Sequence, residues 1–389
     1  MTLPLQGVTV LDLSRLLPGP FCSQMLADFG AEVIKVEDTG RGDYLRDFPP
    51  KLGKYSSLYY SVNRNKKSIK LDLKQPEGKD AFRRLVATSD VVLEGFRPGV
   101  MDKLGLGYEE LKKVNPRIIY CAITGYGLNG PYKLAAGHDI NYLNYSAISS
   151  LFGEKDGKPA MGDIQIADIG GGAQMGVISI LLALQARQHT GRGQLCDVAM
   201  MDGVVSWLPF VLGRLAVGEE ASRGTGLLAG GYACYQIYPT RDGRYVSLGA
   251  LEDKFWATFC TRLGKEDFIP IQMDLSRQQE MIEELNAILS QKTQAEWVEF
   301  FAQDDICFSP VCTMKEAAHN PQVRHREMIY DTVVEGKNIM LPGIPVKLSD
   351  TPGAIKATFP EQGEHSNEIL GRLGYKAEEI AELAAKGII

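Results

Sequence analysis

Hydrophobic positions in the first third of the chain come in short dense runs, separated by amphipathic stretches. Residues 7–14 read as a buried strand and residues 19–29 as a helix, opened by Pro18-Gly19-Pro20 and closed by Gly30. Residues 32–37 read as the next strand, which makes a β-α-β unit. The alternation continues with a strand at 67–73, a helix at 76–88, a strand at 91–96, a helix at 108–113 and a strand at 117–124. Alternation of this kind predicts a mostly parallel sheet covered by helices on both faces. An apolar helix at 173–189 and a short strand near 194–199 follow.

The pattern changes after about residue 220. Gly-rich residues 224–231 lead into strands at 233–238 and 244–249, joined by the turn Thr240-Arg241-Asp242-Gly243. Helical patterns follow at 253–263, 278–290 and 294–302. The expected fold class is α/β: a large Rossmann-like domain over 1–200, completed by 340–389, and a smaller α+β domain over 225–330. Residues 201–224 and 331–339 read as the outgoing and returning linkers, and the tail ends in a helical pattern at 376–386.

A length of 389 residues suffices for two domains with a large core. The net charge of −6 gives no electrostatic ground for nucleic-acid binding, so a polyanionic small ligand needs a local basic patch. Seven cysteines lie scattered, with no C-x-x-C pair and no metal-ligand spacing. Reduced thiols, a cytoplasmic location and no metal are the expectation. The N-terminus runs directly into a strand pattern, so no signal peptide is expected. The apolar stretch Met175–Ala186 is interrupted by Gly176, Ser179 and Gln185, and reads as too short to span a membrane.

Three segments suggest chemistry. In the first, a strand ends at Thr124-Gly125-Tyr126-Gly127, and a loop then sets His138 and Asp139 before a helix carrying Tyr142. Helix starts carry free N–H groups that can hold an oxyanion. His138 reads equally as a surface loop residue, and Asp139 as a simple N-cap. In the second, Asp168 precedes Gly170-Gly171-Gly172 at the start of the apolar helix, where glycines permit close approach. Capping is the alternative reading, and Asp163 competes for the acidic role. In the third, Glu252 follows a strand and precedes a helix, where capping or a solvated charge is the plainer reading. Candidate anion-binding residues are Arg41, Arg64, Lys66, Lys67 and Arg97, although a solvated face is the usual fate of Lys and Arg. The loop Ser14–Pro20 lacks the G-x-G-x-x-G of a nicotinamide site. Tyr55, Tyr59, Tyr60, Tyr145 and Met200-Met201 could line an acyl channel, although core packing is the commoner role.

These segments together resemble the superfamily of family III CoA transferases and α-methylacyl-CoA racemases. The resemblance covers about residues 5–330 and rests on GVTVLDLSRLLPGPFCSQMLADFGAEVIKVE, VVLEGFRPGVMDKLGLGYEEL, GYGLNGPYKLAAGHDINY, GQLCDVAMMDG and DGRYVSLGALEDKFW, in that order. The closing GEHSNEILGRLGY is also similar. The resemblance implies an interlocked homodimer, with each active site between the large domain of one subunit and the small domain of the other. It implies an acyl-CoA thioester as substrate, with coenzyme A as part of that substrate and no permanently bound cofactor.

For a racemase the resemblance implies that His138 and Asp168 flank the α-carbon, with Glu252 hydrogen-bonded to the histidine and the Asp139 N–H at the enolate oxygen. For a CoA transferase it implies that Asp168 is a nucleophile forming an acyl anhydride; that branch commonly lacks the histidine and the glutamate. The joint presence of His138, Asp139, Asp168 and Glu252 favours the racemase. Arg97, Tyr142 and Asp139 match CoA-contacting positions, and Gly125, Arg64 and Lys66 are further candidates. Asp38 stands where racemases carry a basic residue, a role that Arg41 could take.

Overall fold

The dense apolar runs pair into one parallel sheet. The computed structural model describes residues 2–389. Its first eight strands are β1 (Thr9–Asp12), β2 (Glu32–Glu37), β3 (Lys51–Leu52), β4 (Tyr55–Ser56), β5 (Lys66–Lys70), β6 (Val91–Glu94), β7 (Ile119–Thr124) and β8 (Leu195–Ala199). β3 and β4 form a small hairpin; the other six make a parallel sheet in the order β5-β2-β1-β6-β7-β8. The order reverses between β1 and β6, and ligands of open α/β sheets bind at such a reversal, beyond the carboxyl ends of the strands.

The chain divides into two compact units. The first comprises Met1–Ser146, Asp163–Trp207 and Gln322–Ile389. Its core includes Val92, Tyr120 and Ala122 from the sheet, Phe82 and Leu85 from the helix Pro76–Ala87, and Ile369, Leu370 and Leu383 from the C-terminal helices. The second comprises Ala147–Gly162 and Leu208–Pro321. In its antiparallel sheet β10 (Tyr245–Gly249) lies between β9 (Tyr235–Pro239) and β11 (Phe308–Pro310), over a core containing Trp256, Phe259 and Trp297. Residues 147–162 join this unit partly through Arg223, which donates to the carbonyls of Ser150 and Glu154. Sequence patterning placed those residues in the large domain. It also read 331–339 as a linker, whereas β12 (Ile329–Val334) and β13 (Lys337–Pro342) form a hairpin there. Glu335 and Gly336 both take positive φ, 50° and 71°, and so turn the chain in two residues.

The apolar helix is longer than its pattern suggested. A π-helical segment, Ala167–Gln174, runs directly into the α-helix Met175–Thr190. Residues 167–190 are therefore long and apolar enough to cross a membrane, which corrects the expectation drawn from Met175–Ala186 alone. Within the first unit Ile180, Ala183 and Arg187 of this helix are buried, while Ile178, Leu181 and Leu182 are exposed.

Glycines decide how the π-helical segment sits. A Cβ on Gly171 would lie 2.3 Å from the Met200 carbonyl oxygen, and one on Gly170 would lie 2.2 Å from the Trp207 ring. Gly171 and Gly203 thus let the helix Met200–Val205 approach backbone to backbone. Gly171→Ala should destabilise the fold by about 1–3 kcal/mol, as overpacking does. Urea unfolding of this variant beside the parent protein measures the loss.

Candidate active site

Strand β7 delivers the first part of the site. It ends at Thr124, whose hydroxyl accepts from the Gly127 N–H at 2.9 Å. Gly125 follows, and a Cβ there would lie 2.5 Å from the Tyr142 ring. The glycine is therefore required by a packed side chain of its own chain. Tyr142 donates to the Gly137 carbonyl at 2.6 Å and packs edge-on against Tyr126 at 5.1 Å. Burial, chiefly, with the nearby Asp168 charge, pushes its phenol up to about 12. It acts as a neutral brace that fixes the loop before His138.

His138 is the N-cap of the helix Asp139–Tyr145, and its own N–H donates to Asn141 Oδ1 at 3.0 Å. Its side chain is exposed at the helix start. Asp139, expected as a possible cap of this helix, turns elsewhere. Its Oδ1 accepts from the backbone N–H of Ala167 at 2.6 Å and of Asp168 at 3.0 Å. These amides open the long apolar helix, where N–H groups lack intrahelical acceptors. The contact brings the His138 loop and the Asp168 segment together. Asp168 sits on the π-helical turn, half-buried, and its carboxyl is pushed up to about 7 by desolvation and then by the Asp139 charge. Asp163, the competing acid, is exposed on a bend.

The basic candidates separate into surface and interior groups. Arg97 is exposed beyond β6 and lines a cavity of about 150 Å³ with Glu94, Asp102, Tyr108 and Tyr120. Arg41 is exposed, 3.4 Å from Asp47, with its guanidinium over the Tyr44 ring. Arg15 was not singled out from the sequence. It bridges this region, lying over Tyr44 at 4.9 Å and Phe96 at 5.5 Å while paired with Asp38 at 2.8 Å. Its signal was its place in the loop after β1, at the sheet's reversal point.

Arg64 and Lys66 face inward. Arg64 is 2% exposed; it grips both oxygens of Asp28, at 3.0 and 2.7 Å, and donates to the Pro342 carbonyl at 2.6 Å. Lys66 donates to Asp12, Asn63 and the Pro20 carbonyl, and burial, against the Asp12 charge, holds its amine down at about 8. Burial raises Asp12, but Lys66 and Lys35 outweigh it and hold the carboxyl at about 2. These cations neutralise buried carboxylates and offer no free face to a phosphate. Lys67 is the outward member of the run, paired with Glu32 and Glu368.

Glu252 belongs to the second unit, as the N-cap of the helix Asp253–Leu263. Tyr59 and Tyr60 are buried in a cluster with Leu45 and Val62, and Met200 is buried too. Tyr145 stays 60% exposed and stacks on Tyr132 at 5.0 Å.

Comparison with known proteins gives this geometry a context. Residues 5–366 match CoA-transferase family III. The human α-methylacyl-CoA racemase is 38% identical over 388 residues, covering 99% of this chain and 97% of the relative. The human succinyl-CoA:glutarate CoA-transferase is 34% identical over 398 residues, covering 99% and 90%. A crystal structure of a CaiB/BaiF family protein from Brucella suis superposes with a TM-score of 0.85 at 32% identity, covering 96% of this chain and all of the other.

Proposed function

Because the chain belongs to CoA-transferase family III, we propose that it is an acyl-CoA racemase, moving the α-proton of a 2-methylacyl-CoA thioester from one face of the carbon to the other. The observation that carries this reading is the bond from the Asp168 N–H to Asp139 Oδ1 at 3.0 Å, which holds Asp168 beside the loop that bears His138; burial and then the Asp139 charge push its carboxyl up to about 7. A racemase needs each of its two groups to be base in one direction and acid in the other. Near neutral pH such a carboxyl is present in both forms, which suits proton transfer. In one direction His138 takes the α-proton and protonated Asp168 supplies one to the opposite face. In the other direction the Asp168 carboxylate takes the proton and the imidazolium returns it. The Asp139 N–H, at a helix start, is the donor proposed for the enolate oxygen.

Acyl transfer to Asp168 is the second reading, favoured by the 34% identity to a CoA-transferase. It needs an ionised nucleophile, and a raised carboxyl is less available in that form at neutral pH. Coenzyme A enters as part of the substrate, with no permanently bound cofactor. Its phosphates are assigned to the exposed cations Arg97 and Arg41. Part of the proposal is an interlocked homodimer, in which Glu252 orients the His138 ring. The seven free cysteines fit the proposed cytoplasmic location.

Arg97→Ala should raise KM for the thioester about tenfold, the loss of one charge-assisted contact, with little change in kcat. Steady-state kinetics with a 2-methylacyl-CoA measures both constants. The assignment itself is tested by chiral analysis of each pure enantiomer after incubation. Both should approach the same mixture, whereas an unchanged enantiomer at high enzyme concentration opposes the proposal.

A further inference from the structure

Asp139 does more than its place beside the histidine suggests. Its carboxylate spends Oδ1 on two backbone amides 28 and 29 residues along the chain, those of Ala167 and Asp168. A residue capping its own helix does not do this; the cap of Asp139–Tyr145 is His138, held by Asn141. The recipient segment needs such a tie. It is a π-helical turn in which Gly170, Gly171 and Gly172 supply no side chains to lock it, and π turns recur at functional sites.

We propose that the Asp139 side chain is a positioning residue, which fixes the Asp168 backbone against the His138 loop. Its charge also bears on the Asp168 carboxyl, which the tie holds close by. This rests on the reading of Asp168 as a proton-transfer group. Other titratable groups packed around the segment do not replace Asp139 in that role. Tyr142 is neutral and committed to the Gly137 carbonyl. Asp202, on the helix Met200–Val205, is exposed and is raised by burial and by Asp197. His138 is exposed at the start of the helix Asp139–Tyr145. Arg97 acts on Tyr142, and the charge that bears on Asp168 is that of Asp139.

Two functions of one carboxylate can be separated by two substitutions. Asp139→Asn keeps an oxygen for both amides and removes the charge. Asp139→Ala removes both. The Asp168 carboxyl is followed by carbon-13 NMR in substrate-free protein, assigned with Asp168→Asn, and the pH profile of kcat is recorded alongside. In Asp139→Asn the Asp168 titration and the matching limb of the profile should both move to lower pH, by about one pH unit, with a smaller fall in kcat than in Asp139→Ala. In Asp139→Ala the same displacement should come with a further fall in kcat, about tenfold or more, as expected of a misplaced group. An Asp168 titration unchanged in both variants overturns the charge role, and equal kcat in the two variants overturns the tie. Because the NMR titration needs no turnover, it decides the charge role even if the parent protein racemises nothing; amide hydrogen exchange at Ala167 and Asp168 then decides the tie, with protection lost in Asp139→Ala and kept in Asp139→Asn if the tie holds, and unchanged in both if it does not.

Discussion

Replacing Asp168 with Asn should lower racemisation by about 10²–10⁴-fold, the contribution of a positioned acid–base group. The amide has nearly the shape of the carboxyl but cannot carry the proton. His138→Ala should lose a comparable factor, since one missing partner stops the transfer in both directions. Stability should move the other way. Asp168 has its folded value raised, from 3.8 to about 7. The folded protein therefore holds this proton more tightly than the unfolded chain does. Its contribution to stability is present below 3.8 and is lost as pH rises to about 7. Asp168→Asn escapes that loss, so at pH above about 7 it should melt no lower than the parent protein. Thermal melts at acid and neutral pH, run beside racemisation assays, separate a catalytic defect from an unfolded variant.

Arg64→Ala should cost about 3–5 kcal/mol of folding stability, because it leaves Asp28 buried without its bidentate partner. The pair is nearly sealed, with side-chain exposures of 2% and 4%. The pKa of Asp28 is raised, with burial outweighing the Arg64 contacts, so the site is poorly solvated even when paired. Removing the guanidinium also frees the Pro342 carbonyl, which ties the hairpin β12–β13 to this cluster. Coenzyme A affinity of the folded fraction should stay unchanged. Urea unfolding gives the first quantity and isothermal titration with coenzyme A the second. A stable variant with weakened binding would return Arg64 to the phosphate site.

Arg64 also shows where sequence patterning stops. The central strands β6 and β7 were legible because both faces are covered, so each is a nearly unbroken apolar run: Val91-Val92-Leu93 and Ile119–Ile123 are buried throughout. Three cations at 64, 66 and 67 look alike in sequence, yet two turn inward to Asp28 and Asp12 and one faces out. The acids that claim them lie 36 and 54 residues away, beyond the reach of local periodicity. Asp168 and its glycines were legible as a motif at a helix start. Its tie to Asp139 was not, because nothing in the residues near Asp139 marks a distant pair of amides. The three-residue strand β11 was missed for a different reason: Phe308-Ser309-Pro310 is too short to show alternation.

The central claim is that Asp168 and His138 move a proton at the α-carbon. The most direct test incubates one enantiomer of a 2-methylacyl-CoA with the protein in D₂O, with no acceptor acid, and follows the α-position by proton NMR and chiral analysis. Deuterium uptake accompanied by inversion is the predicted result. A fully protonated, stereochemically unchanged thioester, together with CoA transfer once a second carboxylic acid is added, would contradict it and make Asp168 the nucleophile of a transferase.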